Sequence, residues 1–322
     1  MRRKLISILT GLALAAASVA VLGQTYPSRP IKIIQGFAPG GNADTVARVV
    51  GAEMAKGLGQ PIIVEAKPGA GGNIAADVVA KAAPDGYTLY LITGGHAVSG
   101  ALRESLPYKT VEDFQMLSTI SVFSFVLSVR ADGPHRSLSE LIKTARAKPG
   151  AVTYGTAGVG ATQHLTGELL SSMAAANLLH IPYKGDSAAI TGILGGDVDF
   201  VITPATAALP HIKAGKFKAI AVSGNSRWPG LPDTPTVAEA GVPDFDVRSW
   251  VGLATTAGVP KPIVEQVHKE IVRTLRVADV RAKLESFGGE GQASTPDELR
   301  DRVAREKARW DKVIAEAKIP KQ

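Results

Sequence analysis

The stretch Ile31-Lys32-Ile33-Ile34-Gln35-Gly36-Phe37-Ala38-Pro39-Gly40-Gly41-Asn42-Ala43-Asp44-Thr45-Val46-Ala47-Arg48-Val49-Val50 contains the plan of the fold. Residues 31–37 read as a buried strand and residues 43–56 as a helix, and the turn between them is made of glycine and small polar residues. The strand signal recurs at 87–93, 151–155, 178–183, 198–203 and 217–223, with helical stretches such as 138–147 and 165–176 in between. Continuous apolar strands separated by helices predict an α/β architecture built on a parallel sheet with both faces covered. The last segments are more purely helical. Val264, Val267, Ile271 and Leu275 share one face, as do Leu299, Val303, Trp310 and Val313. Thr295-Pro296-Asp297-Glu298 combines an N-cap threonine, a first-turn proline and a glutamate placed to complete a capping box.

The composition narrows the class. The chain has 322 residues, 45% of them hydrophobic, and 34 glycines that follow no fixed period, which excludes collagen-like and disordered chains. It has no cysteine, so disulfide scaffolds, zinc ribbons, iron-sulfur clusters and thiol nucleophiles are excluded. Met1-Arg2-Arg3-Lys4 precedes an apolar run from Leu5 to Leu22 that ends in small residues, the order of a secretory signal peptide cleaved near Gly23. As an uncleaved anchor this run would only just span a bilayer. The expected mature protein is soluble, exported to the periplasm and monomeric. Losing Arg2, Arg3 and Lys4 with no acidic residue lowers the formal charge from +7 to +4. That surplus, without a dense Lys/Arg run, does not point to nucleic acid.

The mature length suggests two domains, yet no linker or repeat separates them. The chain is expected to cross between two lobes more than once, at the apolar stretches 117–129 and 247–255. The resulting division is residues 24–124 plus 250–322 as one lobe and 125–249 as the other.

Four strand-to-helix junctions share one chemistry: Pro39-Gly40-Gly41-Asn42-Ala43-Asp44, Gly69-Ala70-Gly71-Gly72-Asn73, Thr93-Gly94-Gly95-His96 and Ala157-Gly158-Val159-Gly160-Ala161-Thr162. Glycine lets a ligand approach the backbone, and N–H groups at a helix start attract an anion without a formal positive charge. In open α/β sheets such junctions line the ligand crevice. Glycine is also the ordinary turn residue, so one junction alone would say little; four of a kind point to a binding cleft. No G-x-x-x-x-G-K-[ST] segment occurs, and the 155–160 glycines are wrongly spaced for a dinucleotide fingerprint, so neither ATP nor NAD is expected and no cofactor is implied. His164 and Glu168 lie four apart with no recognisable third ligand, which favours capping or packing over a metal. There is no G-x-S-x-G elbow and no recognisable base-activated serine, so no catalytic residue is assigned. An exported hydrolase of small esters or amides is the rival class.

These junctions also carry a resemblance. Tyr26-Pro27-Ser28-Arg29-Pro30-Ile31, FAPGG at 37–41 with Asp44, Lys67-Pro68-Gly69-Ala70-Gly71-Gly72-Asn73, Pro84-Asp85-Gly86-Tyr87, Pro182-Tyr183-Lys184-Gly185, Leu194-Gly195-Gly196-Asp197-Val198-Asp199 and Pro235-Thr236-Val237-Ala238-Glu239-Ala240-Gly241 occur in order along the chain. In these the sequence resembles the substrate-binding proteins of tripartite tricarboxylate transporters, the Bug or TctC-like family. The resemblance implies a two-lobed periplasmic-binding-protein (Venus-flytrap) fold that closes on a small carboxylated solute and presents it to an integral membrane permease. A sensor docking on a membrane receptor is the other partner it allows. Carried over by position, the ligand-binding candidates are Gly40, Gly41, Asn42 and Asp44 from one lobe and Gly158, Gly160, Ala161 and Thr162 from the other. Thr93, His96, Tyr183, Asp199 and Thr203 are further candidates at neighbouring strand ends, Asp199 having a turn or helix-capping role as its alternative. Relatives commonly carry Asp-Asn where this chain has Thr203-Pro204. That departure implies a solute without an amino group, such as a di- or tricarboxylate or an aromatic acid.

Overall fold

The computed structural model describes residues 26–322, so the expected signal segment lies outside the described residues. β1 (Ile31–Gln35) leads into α1 (Asn42–Leu58), followed by β2 (Ile62–Ala66), a 3-10 turn at Ala70–Gly72, α2 (Asn73–Ala80), β3 (Thr88–Thr93) and α3 (Gly94–Leu102). A 17-residue strand, β4 (Phe114–Arg130), comes next. After it run α4 (Leu138–Ala147), β5 (Val152–Thr156), α5 (Thr162–Met173), β6 (Leu178–Pro182), α6 (Asp186–Gly195), β7 (Phe200–Pro204), α7 (Ala205–Lys213) and β8 (Phe217–Val222). The described chain ends with β9 (Arg248–Thr256), α8 (Lys261–Arg276), α9 (Ala278–Ser286), β10 (Gly289–Gly291) and α10 (Pro296–Glu316).

Two sheets share β4. In the first the order is β2-β1-β3-β9-β4, with β10 also on β4, and residues 114–124 of β4 supply the pairing to β9. In the second, residues 125–130 of β4 pair with β7 and β8, and β7 continues through β5 to β6. The expected all-parallel sheet is therefore corrected to a mixed one. β2-β1-β3 and β7-β5-β6 are parallel, but β9 runs antiparallel to β3 and β4, and β7, β8 and β10 run antiparallel to β4. A run of apolar residues shows that a strand is buried, not which way it points.

Side-chain alternation explains the layers. In β1, Ile31 and Ile33 join the cluster holding Val46, Val50 and Met54 of α1, whereas Ile34 faces Ala75, Ala76 and Val79 of α2. Burying each larger aliphatic side chain contributes roughly 1.5–3 kcal/mol, which fixes both helices against the sheet and sets where their first turns lie. At the other end of the chain the capping box at Thr295 forms: its hydroxyl accepts from Glu298 N, and Glu298 Oε2 accepts from Thr295 N. Of the expected α10 stripe, Leu299, Val303 and Trp310 are buried, while Ile314 takes the innermost position in place of Val313.

The crossing between the sheets is held by one serine. Ser223 N donates to Phe125 O at 2.9 Å and its Oγ accepts from Phe125 N at 2.9 Å. The same Oγ donates to Val247 O at 2.6 Å, and Val247 N donates back to Ser223 O at 2.8 Å. Ser223 is fully buried. It thus ties the midpoint of β4 to the segment leaving β8 and to the segment entering β9. In Ser223→Ala, Phe125 N–H and Val247 C=O are left buried without partners, and we expect a loss of roughly 2–4 kcal/mol of stability in a denaturant melt.

Candidate functional site

At the β1–α1 junction Gly40, in the left-handed region at φ 82°, turns the chain and Gly41 precedes the first helical residue, Asn42. Asp44 does not reach the cleft. Its Oδ2 accepts from Gly40 N at 3.1 Å and its carboxylate takes two bonds from Arg48, at 2.9 and 3.0 Å. Burial pushes this carboxyl up, but the Arg48 guanidinium and the Gly40 N–H together hold it below the ordinary range. Asp44 therefore shapes the loop. Asn42 spans the cleft: its Oδ1 accepts from Thr206 of α7 and its N–H points at Asp186 Oδ2, 3.4 Å away.

The β5–α5 junction faces it from the other sheet. Gly158 N donates to Thr156 Oγ1 at 3.2 Å and Ala161 N to Gly158 O at 3.2 Å, so those two amides serve the loop. Gly160, at φ 86°, leaves its carbonyl to accept from Ser99 Oγ of α3 at 3.4 Å. Thr162 opens α5, and its Oγ1 accepts from Ser249 Oγ of β9 at 3.4 Å. Gly71 closes the seam beside it: a Cβ there would sit 2.4 Å from Val159 O.

Between the junctions is a cavity of about 30 Å³, room for little more than a water. Asn42, Thr93, Thr162, Gln163, Asp186 and Ser249 are its polar lining residues, and Phe37, Phe123, Phe125, Pro204 and Val251 its larger apolar ones. No Lys, Arg or His is among the lining residues. The first turns of α1 and α5 both start at this wall, and the leading N–H groups of a helix have no partner within it. Next to it, a recess of about 250 Å³ lies between Gly69–Gly71, Ala157–Val159 and Pro182–Lys184, and takes in Tyr183.

The remaining candidates do not line the cavity. His96 is turned into the core, where Nε2 bonds Thr110 O at 2.8 Å, the ring stacks on Tyr108, and burial lowers its pKa to about 4. Asp199 Oδ2 accepts from Thr153 N and Oγ1, at 2.8 and 3.0 Å. Since β5 and β7 are parallel, this fastens the starts of those strands, at the end of the sheet opposite the α5 junction. Thr203 is fully buried in β7 opposite Val126, next to the cavity residue Pro204. His164 stacks on His180 at 4.2 Å, with Nε2 3.8 Å from Glu168, and burial lowers its pKa to about 4.

The family model described as the tripartite tricarboxylate transporter family receptor matches residues 46–319. The chain belongs to this receptor family. Among solved structures, the receptor superposes on periplasmic binding protein BugD at TM-score 0.88 and 33% identity, covering 92% of this chain and 100% of that one. It matches R. palustris Rpa4515 with adipate at TM-score 0.88 and 33% identity, over 92% and 99% of the two chains. MatC from Rhodopseudomonas palustris, with bound malate, gives TM-score 0.85 and 35% identity over 90% and 100%. The fold is thus the two-lobed periplasmic-binding-protein fold, with the cleft between the lobes.

Sequence reading missed the receptor's Asp186, Gln163 and the Phe123–Phe125 pair. Gly185-Asp186 sits at a strand-to-helix turn like Gly41-Asn42, and Phe123 and Phe125 alternate toward one face of the crossing strand; both signals were present in the sequence. Asp186 is buried, and burial raises its pKa from 3.8 to about 6 against the opposing bonds from Asn42 N–H and Gln163. The folded state therefore holds more protons than the unfolded state between those values, and stability falls as pH rises through that window. By about pH 7 the cost is complete, on the order of 3 kcal/mol. Asp186→Asn should raise the melting temperature of the ligand-free receptor at pH 7, with the gain vanishing near pH 4; scanning calorimetry across that range checks it.

Proposed function

We propose that this protein is a periplasmic receptor that captures a small carboxylate between its two lobes and delivers it to a membrane permease of the tripartite tricarboxylate transporter type. The observation that carries this reading is the meeting of two helix first turns, one from each sheet, on a single cavity lined by no cationic side chain. Neutral N–H groups backed by helix dipoles suit one carboxylate well. Related receptors were solved with adipate and with malate, both small carboxylates. Thr93, Thr162 and Ser249 line the cavity without a histidine among its lining residues, which favours binding over hydrolysis. The family description, a receptor of a transporter, favours a permease over a sensor as partner.

The cavity is too small for a solute as it stands, so capture requires opening and reclosing. We assign residues 24–124 plus 250–322 to one moving body and 125–249 to the other, with β4 and Ser223 as the hinge. In the closed form the lobes touch through Asn42 and Thr206, Ser187 and Pro39 O, and Ser99 and Gly160 O. A solute that bonds both first turns favours this arrangement by its differential contacts.

A thermal-shift screen of refolded protein against di- and tricarboxylates, aromatic acids and amino acids tests the reading. A true solute at about 100 times its Kd should add roughly 2.7 kcal/mol to the native state. If no organic acid raises the melting temperature at millimolar concentration, the reading is wrong. Gly71→Ala places a methyl group against Val159 O across the seam. We expect it to weaken solute binding by about tenfold or more in calorimetric titration, and to cost the ligand-free protein only about 1–2 kcal/mol.

A further inference from the structure

We infer that Asp186 selects the solute, and that the solute carries a positively charged nitrogen, an ammonium group in the simplest case, together with its carboxylate. The inference rests on the carboxylate-receptor reading above and narrows it to one chemical class.

Several helices here begin with an acidic residue in the first turn. Glu140 of α4, Asp279 of α9 and Asp297 and Glu298 of α10 are exposed, where water and the helix dipole suffice for them. Asp44 and Asp186 are buried, and of the two only Asp186 lines the cavity. Asp44 has its counter-ion in Arg48. Asp186 has none among the described residues: Oδ1 accepts from Gln163 Nε2 at 3.0 Å, Oδ2 faces Asn42 N at 3.4 Å, and both donors are neutral. A carboxylate removed from water without an opposite charge is costly, and such a cost is tolerated where function uses it.

The missing charge can come from the solute. Asp186 is the one ionisable side chain lining the cavity among the described residues, so the site supplies one fixed negative charge and no fixed positive one. A dicarboxylate would add a second and third anion to that wall. A zwitterion instead places its nitrogen against Asp186 and leaves its carboxylate for the first turns of α1 and α5. The donors already on Asp186 suit an ionised acceptor, with lone pairs left over for a further N–H. The sequence reading expected a solute without an amino group because Thr203-Pro204 leaves that strand end without an acid. The acid is present, but it enters from α6.

The test is calorimetric titration of refolded protein with the common amino acids and their deaminated counterparts, aspartate against succinate and glutamate against glutarate among them, at about pH 8 where Asp186 is ionised. We expect at least one amino acid to bind about tenfold or more tightly than its counterpart, and this ratio to collapse in Asp186→Asn and in Asp186→Ser, the second variant guarding against misfolding of the first. Tighter binding of the deaminated acids, or an unchanged ratio in both variants, overturns the assignment of Asp186 while leaving the carboxylate-receptor reading intact. Failure of every acid in both sets overturns the two together.

Discussion

β4 has to satisfy two sheets at once, and the backbone of Phe125 is where it changes partners. Up to Ser124 its neighbours are β9 and β10; from Phe125 onward they are β7 and β8. At such a change the ladder would leave peptide groups unpaired inside the protein, and Ser223 supplies the partners with one side chain and its own backbone. The position of the cleft follows from this arrangement. Phe123 and Phe125 project toward one face of the strand and form part of the cavity wall, so the crossing that joins the two sheets also walls the cavity.

Much of this was legible in the sequence, for identifiable reasons. The strand-glycine-helix pattern at 31–50 gives β1 and α1 within a residue or two, because glycine at a turn and apolar periodicity are local signals. The capping box at Thr295 is equally local. Strand direction was not legible, since β9 and β4 look as apolar as any parallel strand. Within the candidate loops the sequence could place Gly40 and Gly158 at the right corners but could not tell that the amides of Gly40, Gly158 and Ala161 would bond internally. His96 and Asp199 illustrate the same limit. Both lie beside strand ends in the sequence, and each is claimed by a structural partner that only the three-dimensional packing reveals.

The electrostatics of the cleft are unusually sparse. Cationic side chains are kept to its margins: Arg48 is committed to Asp44, and Lys184 is exposed at the adjoining recess. What remains inside is backbone polarity, a few hydroxyls and one carboxylate. Such a wall holds its donors rigidly on helix starts that are fixed by core packing, so little side-chain freedom is lost when a solute arrives.

The continuity of β4 also constrains how the protein can be divided. An excised half would retain only part of that strand, and the cut would expose a row of backbone groups that its own sheet cannot pair. The two sheets share β4 and so do not amount to separate modules. Exchanging one of them for another sequence would require a matching β4 and a partner for Phe125 N–H and Val247 C=O at the crossing.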